Sequence, residues 1–140
     1  MPYRMEGGKL MIGVEGWRKV LAAGSATGTP QLEAVYSANW SDLNDGMQYM
    51  KDPFGWVHLR GQAQKGVAIV ATDTIFQLPV GYRPAKSDTT SNRFAAGANS
   101  GVAIVFQITT GGLVQTIGTS GVAARTHCDG ITFRAEDENP

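Results

Sequence analysis

The chain has 140 residues, enough for one domain with a real hydrophobic core. Its 12 basic and 12 acidic residues cancel, which argues against nucleic acid and anionic membrane surfaces as partners. Charged residues make up 17%, against roughly 25% in ordinary soluble domains, and 18 glycines with 6 prolines suit many turns between short strands better than long helices.

Residues 1–48 are the least regularly patterned part. The opening "PYRMEGGKLMIGVEGW" interrupts its apolar run with glycine and then charge, too early for the apolar core of a signal peptide. Leu10, Val14, Trp17 and Leu21 fall at helical spacing, while Gly13 and Gly16 each weaken a helix by about 1 kcal/mol. The expectation is a short helix or an irregular packing segment. "AAGSATGTP" (22–30) reads as a loop and flexible joint, and "QLEAVYS" (31–37) as a strand with Leu32, Ala34 and Tyr36 on one face. "NWS" (39–41) matches a glycosylation acceptor; without a signal peptide the match reads as coincidence.

From Tyr49 onward the punctuation is regular. "GWVHLRG" (55–61) alternates strictly, with Val57 and Leu59 facing one way and Trp56, His58 and Arg60 the other, a strand signature. "GVAIVATDTIFQLP" (66–79) predicts two strands, or one bent strand, with a turn near Thr72–Thr74. Its "VAIVA" (67–71) is the longest apolar run and far short of a membrane span, so no membrane insertion is expected. In "IFQLPVGYRP" (75–84) the pattern buries Phe76 and Leu78. Pro79 cannot continue an interior ladder, Gly81 is expected at positive φ, and Pro84 forces Arg83 to be extended. The stretch reads as a strand terminator with a fixed exit direction.

The loop 85–101 is polar and expected at a rim; its Ser, Thr and Asn side chains suit a solvated turn or a variable recognition loop, and the solvated turn is the favoured reading. "SGVAIVFQITTGGLVQTIGTSG" (100–121) predicts a hairpin, with Val102, Ile104, Phe106 and Ile108 sharing a face and Gly111-Gly112 in the turn. "GVAIV" occurs at both 66–70 and 101–105; strand-forming residues this common make chance the simpler explanation. "GITFRAE" (130–136) closes the chain with Ile131 and Phe133 inward. Short strands between glycine-rich turns argue for an all-β sandwich or barrel, behind the irregular or helical N-terminal segment.

Little in the chain promises catalysis. "THCDG" (126–130) sets His127, Cys128 and Asp129 side by side, but consecutive strand residues point to opposite faces and cannot converge on one ion. It reads as a turn into the last strand, and no metal or cofactor is expected. The single cysteine cannot form an internal disulfide, so a soluble protein from a reducing compartment is expected. There is no G-x-S-x-G elbow and no phosphate-cradling G-x-x-x-x-G-K-[ST] loop. His58 reads as a half-buried structural residue without a visible catalytic partner, and the acids lie mostly near turns. No catalytic residue is assigned. The aromatic residues are the better lead: Trp40, Tyr49, Phe54 and Trp56 mix with Asn39, Asp42, Asn44, Asp45, Lys51 and Asp52 within a short span. An aromatic face can stack on the C–H face of a sugar while amides and carboxylates bond its hydroxyls. Trp40, Tyr49, Trp56, Asn39 and Asp42 are therefore the candidate glycan-binding residues, weighed against burial in the core.

"Y-x-KDPFGWVHLRG" (Tyr49, Lys51–Gly61), then "IFQLPVGYRP", a glycine-rich hairpin and the closing "DGITFRAE" resemble the receptor-binding or tail-fibre tip domains of tailed bacteriophages. The resemblance covers Tyr49 to Arg134. It implies an all-β, antiparallel β-sandwich, jelly-roll-like, as a tip domain over 49–140, with 1–48 joining or packing on it, and a homotrimer at the end of a tail fibre or baseplate. It further implies a virion protein made in the host cytoplasm, set among other tail proteins, that adsorbs to a bacterial surface polysaccharide. Leu78, Pro79, Gly81, Tyr82, Arg83 and Pro84 carry over as architecture, with Tyr82 and Arg83 as candidates for a subunit contact. "GVAIVFQI", apolar on both faces, suits a strand between core and trimer axis. Such tips usually follow a long shaft; here some 48 residues without heptads or Gly-X-Y repeats precede the match. The chain is then a piece of a longer fibre or a small separate virion protein. The alternatives are a purely structural trimerisation or capping module and a fragment of a polysaccharide depolymerase.

Overall fold

The computed structural model describes residues 3–6, 9–12, 16–24, 33–70, 72–85, 92–97, 103–117 and 125–136. These hold eleven strands and no helix: β1 (Tyr3–Glu6), β2 (Lys9–Ile12), β3 (Arg18–Lys19), β4 (Trp40–Lys51), β5 (Trp56–Lys65), β6 (Asp73–Gln77), β7 (Arg93–Gly97), β8 (Ala103–Ile108), β9 (Leu113–Thr116), β10 (Arg125–His127) and β11 (Thr132–Arg134). β1 and β2 pair as a hairpin. One sheet runs β10-β5-β4-β3, with β11 on β5 as well, and the other β6-β9-β8-β7. Every ladder is antiparallel. The order β6-β9-β8-β7 is a Greek key.

The sheets share one core, so the fold is an all-β sandwich. Met47, Tyr49, Val57, Leu59 and Ala63 from the first sheet meet Ile75, Phe76, Ile104, Phe106, Ile108 and Val114 from the second. The strict alternation of "GWVHLRG" is realised: Val57 and Leu59 are buried while Trp56 and Arg60 are exposed. Ile131 and Phe133 point inward and Arg134 outward, again as the period of two requires. The β8–β9 hairpin turns at Gly111-Gly112, with Gly112 at φ 87°. Ile104, Phe106 and Ile108 share the buried face and Val105 the exposed one; Val102 lies outside the described residues.

Four expectations are corrected. Of the two expectations for the start, the helical one is not met among the described residues: Arg18 and Lys19 pair with Tyr49 and Gln48 as an edge strand, and Trp17 packs on the Arg60 guanidinium, 4.0 Å from its ring centre. The sheet edge satisfies these backbone groups, which a glycine-broken helix would serve less well. Residues 33–37 give bridges rather than a strand, Leu21 to Val35 and Tyr36 to Phe76, while residues 31 and 32 lie outside the described residues. The first "GVAIV" is also not a strand. Ile69 plugs the core while Val67 and Val70 stay exposed, and the Val70 carbonyl accepts the Thr116 hydroxyl (3.1 Å). Finally, Ile75 is as buried as Phe76, because a register shift between Thr74 and Phe76 turns two neighbours inward.

β4 runs across residues 48 and 49, and Val20, Ala34, Tyr36 and Trp40 belong to the same core as the later strands. Two buried polar links fasten the layers. The Tyr36 hydroxyl accepts the Met47 N–H (2.9 Å). Lys65 on β5 forms an ion pair with Asp73 on β6, whose other oxygen accepts the Trp40 indole N–H (3.4 Å).

"IFQLPVGYRP" ends β6 as expected and then docks on the end of the chain. The Leu78 N–H donates to Gly112 O (2.8 Å) and Tyr82 N–H to Pro79 O (3.1 Å), with Gly81 at φ 94°. Pro84 bridges Ala135, and the Glu136 N–H donates to Arg83 O (2.7 Å). The Arg83 side chain donates to Leu78 O (2.9 Å), and the buried Tyr82 ring meets Tyr49 edge-on at 5.1 Å.

Candidate recognition face on the first sheet

The aromatic cluster separates into two populations. Trp40 and Tyr49, both 2% exposed, are core residues and cannot stack on a sugar, which corrects their assignment as candidate glycan contacts. Asn39 and Asp42 are exposed at the far end of the β4–β5 pair, where Trp40 faces Lys65. Trp56 stands nine positions before Lys65, on the order of 30 Å away at strand rise. The five candidates therefore do not form one site. Asp42 instead lies against Lys19 (3.7 Å) and over Gly46.

What remains is the Asp52–Trp56 turn. "DPFG" puts Asp, Pro and Gly at the first, second and fourth positions of a tight turn, closed by Gly55 N–H donating to Asp52 O (3.1 Å). One Asp52 oxygen accepts the amides of Phe54 (2.9 Å) and Trp56 (3.0 Å); the other meets His58 Nε2 at 2.9 Å. His58 Nδ1 in turn lies 3.2 Å from the Thr132 hydroxyl on β11. Burial alone would raise the Asp52 carboxyl, but the bonds from His58, Trp56 and Phe54 outweigh it and hold the group below its ordinary value. His58 thus has the partners that the sequence did not reveal, and they fix a turn.

The rigid turn presents Phe54, 72% exposed, and Trp56, 42% exposed. Other described rings are spoken for. Arg60 caps Trp17, and Arg18 and Lys51 approach Tyr82 at 5.6 and 5.4 Å. Tyr36, Phe76, Phe106 and Phe133 are core. Arg134, directly opposite Trp56 across the ladder, drapes its guanidinium over Gly55 rather than over a ring.

"THCDG" is the turn that the sequence suggested. His127 and Asp129 pair at 3.7 Å, the other Asp129 oxygen accepts the Gly61 N–H (2.8 Å), and Cys128 is buried. Burial first, and then Asp129, push the Cys128 thiol well above its ordinary value. Among the described residues no group of three or more His, Cys, Asp or Glu side chains gathers in a metal-holding arrangement.

No family model matches this chain, and no curated protein does. Among solved structures, the receptor binding protein (gp15) of Listeria phage PSA shares the fold. The TM-score is 0.60 at 16% identity, over 76% of this chain and 66% of that one. This chain therefore spans just under two thirds of that protein's length, and at such identity the likeness is one of fold.

Proposed function

We propose that this chain is a tip domain of a bacteriophage tail fibre or baseplate, in which it works as a non-enzymatic adhesin for a bacterial surface glycan and assembles as a homotrimer among other tail proteins. The observation that carries the reading is the shared fold with a phage receptor binding protein. The exposed, pre-organised ring faces of Trp56 and Phe54 support the glycan part: a ring already fixed by its turn loses little conformational freedom on stacking.

The test is retention on a panel of purified bacterial surface polysaccharides. The wild-type chain should hold at least one of them, and Trp56→Ala should weaken that binding about tenfold or more, within the range of aromatic contacts. Retention of none would sink the glycan reading, and retention indifferent to Trp56 and Phe54 would remove these rings from it. The burial of Trp40 and Tyr49 favours a second reading, a structural trimerisation or capping module. Under it the protein is trimeric and holds no polysaccharide.

A further inference from the structure

The outer face of the first sheet carries a charge pattern that the neutral net charge conceals. Along β5, residues 56, 60 and 64 point outward. Arg134 on β11 stands opposite Trp56, Arg60 occupies the middle position itself, and Arg125 on β10 stands opposite Gln64. Successive arginines are therefore four residues apart along β5, about 13 Å at strand rise.

All three are exposed, and none has a carboxylate partner among the described residues. The carboxylates nearby are engaged elsewhere: Asp52 with His58, Asp129 with His127 and the Gly61 amide, Asp42 with Lys19. Arg60 is held in place by two bonds to the neutral Gln48 carbonyl (2.9 and 2.7 Å) and by the Trp17 ring. These contacts orient its charge without cancelling it.

We infer that this face binds a linear anionic polysaccharide lying along β5. Arg134, Arg60 and Arg125 meet successive acidic groups of the chain, and Trp56 stacks on a sugar at one end. The inference rests on the glycan reading above and adds to it the charge of the ligand and the direction in which it lies. Carboxylate and phosphodiester groups both suit a guanidinium, whose planar fork bonds either in pairs. A nucleic acid fits less well, since each strand carries a phosphate about every 3.4 Å of axis, far denser than the arginine spacing. A saccharide with one charge per short repeat matches it better.

The experiment measures binding of the whole chain to hyaluronate, which carries one carboxylate per disaccharide repeat, a phosphodiester-linked capsular polysaccharide, neutral dextran and single-stranded DNA, at low and high salt. At least one anionic polysaccharide should bind tenfold or more tightly than dextran at low salt, with the advantage shrinking as salt rises. The carboxylate and phosphodiester arms identify the anion. Arg134→Gln, Arg60→Gln and Arg125→Gln should each cost severalfold, and their combination should remove the preference for charge. Oligomers shorter than the span from Arg134 to Arg125 should bind more weakly than long ones. Unchanged thermal unfolding of the exposed-arginine variants keeps a loss from being misread as unfolding. Equal binding of dextran, tighter binding of DNA, or a triple variant that behaves as wild type would overturn the inference. If a neutral bacterial polysaccharide is held through Trp56 and the arginine variants do not matter, the ladder fails and the adhesin reading stands. If no polysaccharide is held, both fail.

Discussion

At the scale of single residues, two titratable groups have opposite environments and testable consequences. The Asp52 carboxyl sits below its ordinary value in the folded chain because His58 and two amides bond its charged form. Its contribution to stability is complete above the unfolded carboxylate value of about 3.9, and is lost as pH falls through the lower folded value. Asp52→Asn should cost about 1.5–3 kcal/mol at pH 7, the range for hydrogen bonds to a charged group. It should also flatten the acid limb of stability against pH below about 4, as read by urea unfolding at pH 7 and pH 3. An equally steep acid limb in the variant would show that other carboxylates govern acid unfolding. Cys128 is the converse case: desolvation disfavours its thiolate. A thiol reagent at pH 8 should leave the native chain unmodified and label one thiol per chain after denaturation.

At the scale of elements, the β4–β5 pair is shaped by close backbone contact. A Cβ at Gly61, where φ is 101°, would lie 1.9 Å from Gly46 O, and β4 shifts register between Leu43 and Gln48 at the same place. The clash is with backbone, which cannot swing aside as a side chain would. Gly61→Ala should therefore cost about 3 kcal/mol or more, at the severe end for single substitutions, whereas Gly66→Ala, with open space around it, should be nearly neutral. Chemical denaturation of the two variants compares them directly. The same irregularity leaves residues 56–60 in plain alternation, so the turn and the outer face stay regular where the exposed rings, Arg60 and Arg134 stand.

At the scale of the whole molecule, the layers are joined by the Lys65–Asp73 pair and the Trp40 indole. Both side chains are nearly buried, so removing one partner strands the other. Asp73→Ala should cost about 3–5 kcal/mol, the range for a broken buried pair, more than Asp42→Ala at the exposed Lys19 contact. The assembly itself is tested by light scattering after size exclusion. The proposed trimer has about three times the 14.9 kDa mass of one chain, and a stable monomer would remove that part of the proposal.

The sequence by itself determined the fold class, because a period of two in "GWVHLRG" and "GITFRAE" fixes which side chains face inward whatever the partner strand. It also determined how β6 ends, since Pro79 and Gly81 restrict the backbone locally. Helical spacing around Leu10–Leu21 and the apolar "GVAIV" at 66–70 misled, because what an apolar residue does depends on which edge or core gap lies beside it. Trp40 and Trp56 look alike in the sequence; only the packing of two sheets made one a core residue and left the other in water. The arginine ladder was illegible for the same reason. Arg60, Arg125 and Arg134 are scattered along the chain, and only antiparallel pairing sets β10 and β11 beside β5 and brings three charges onto one face.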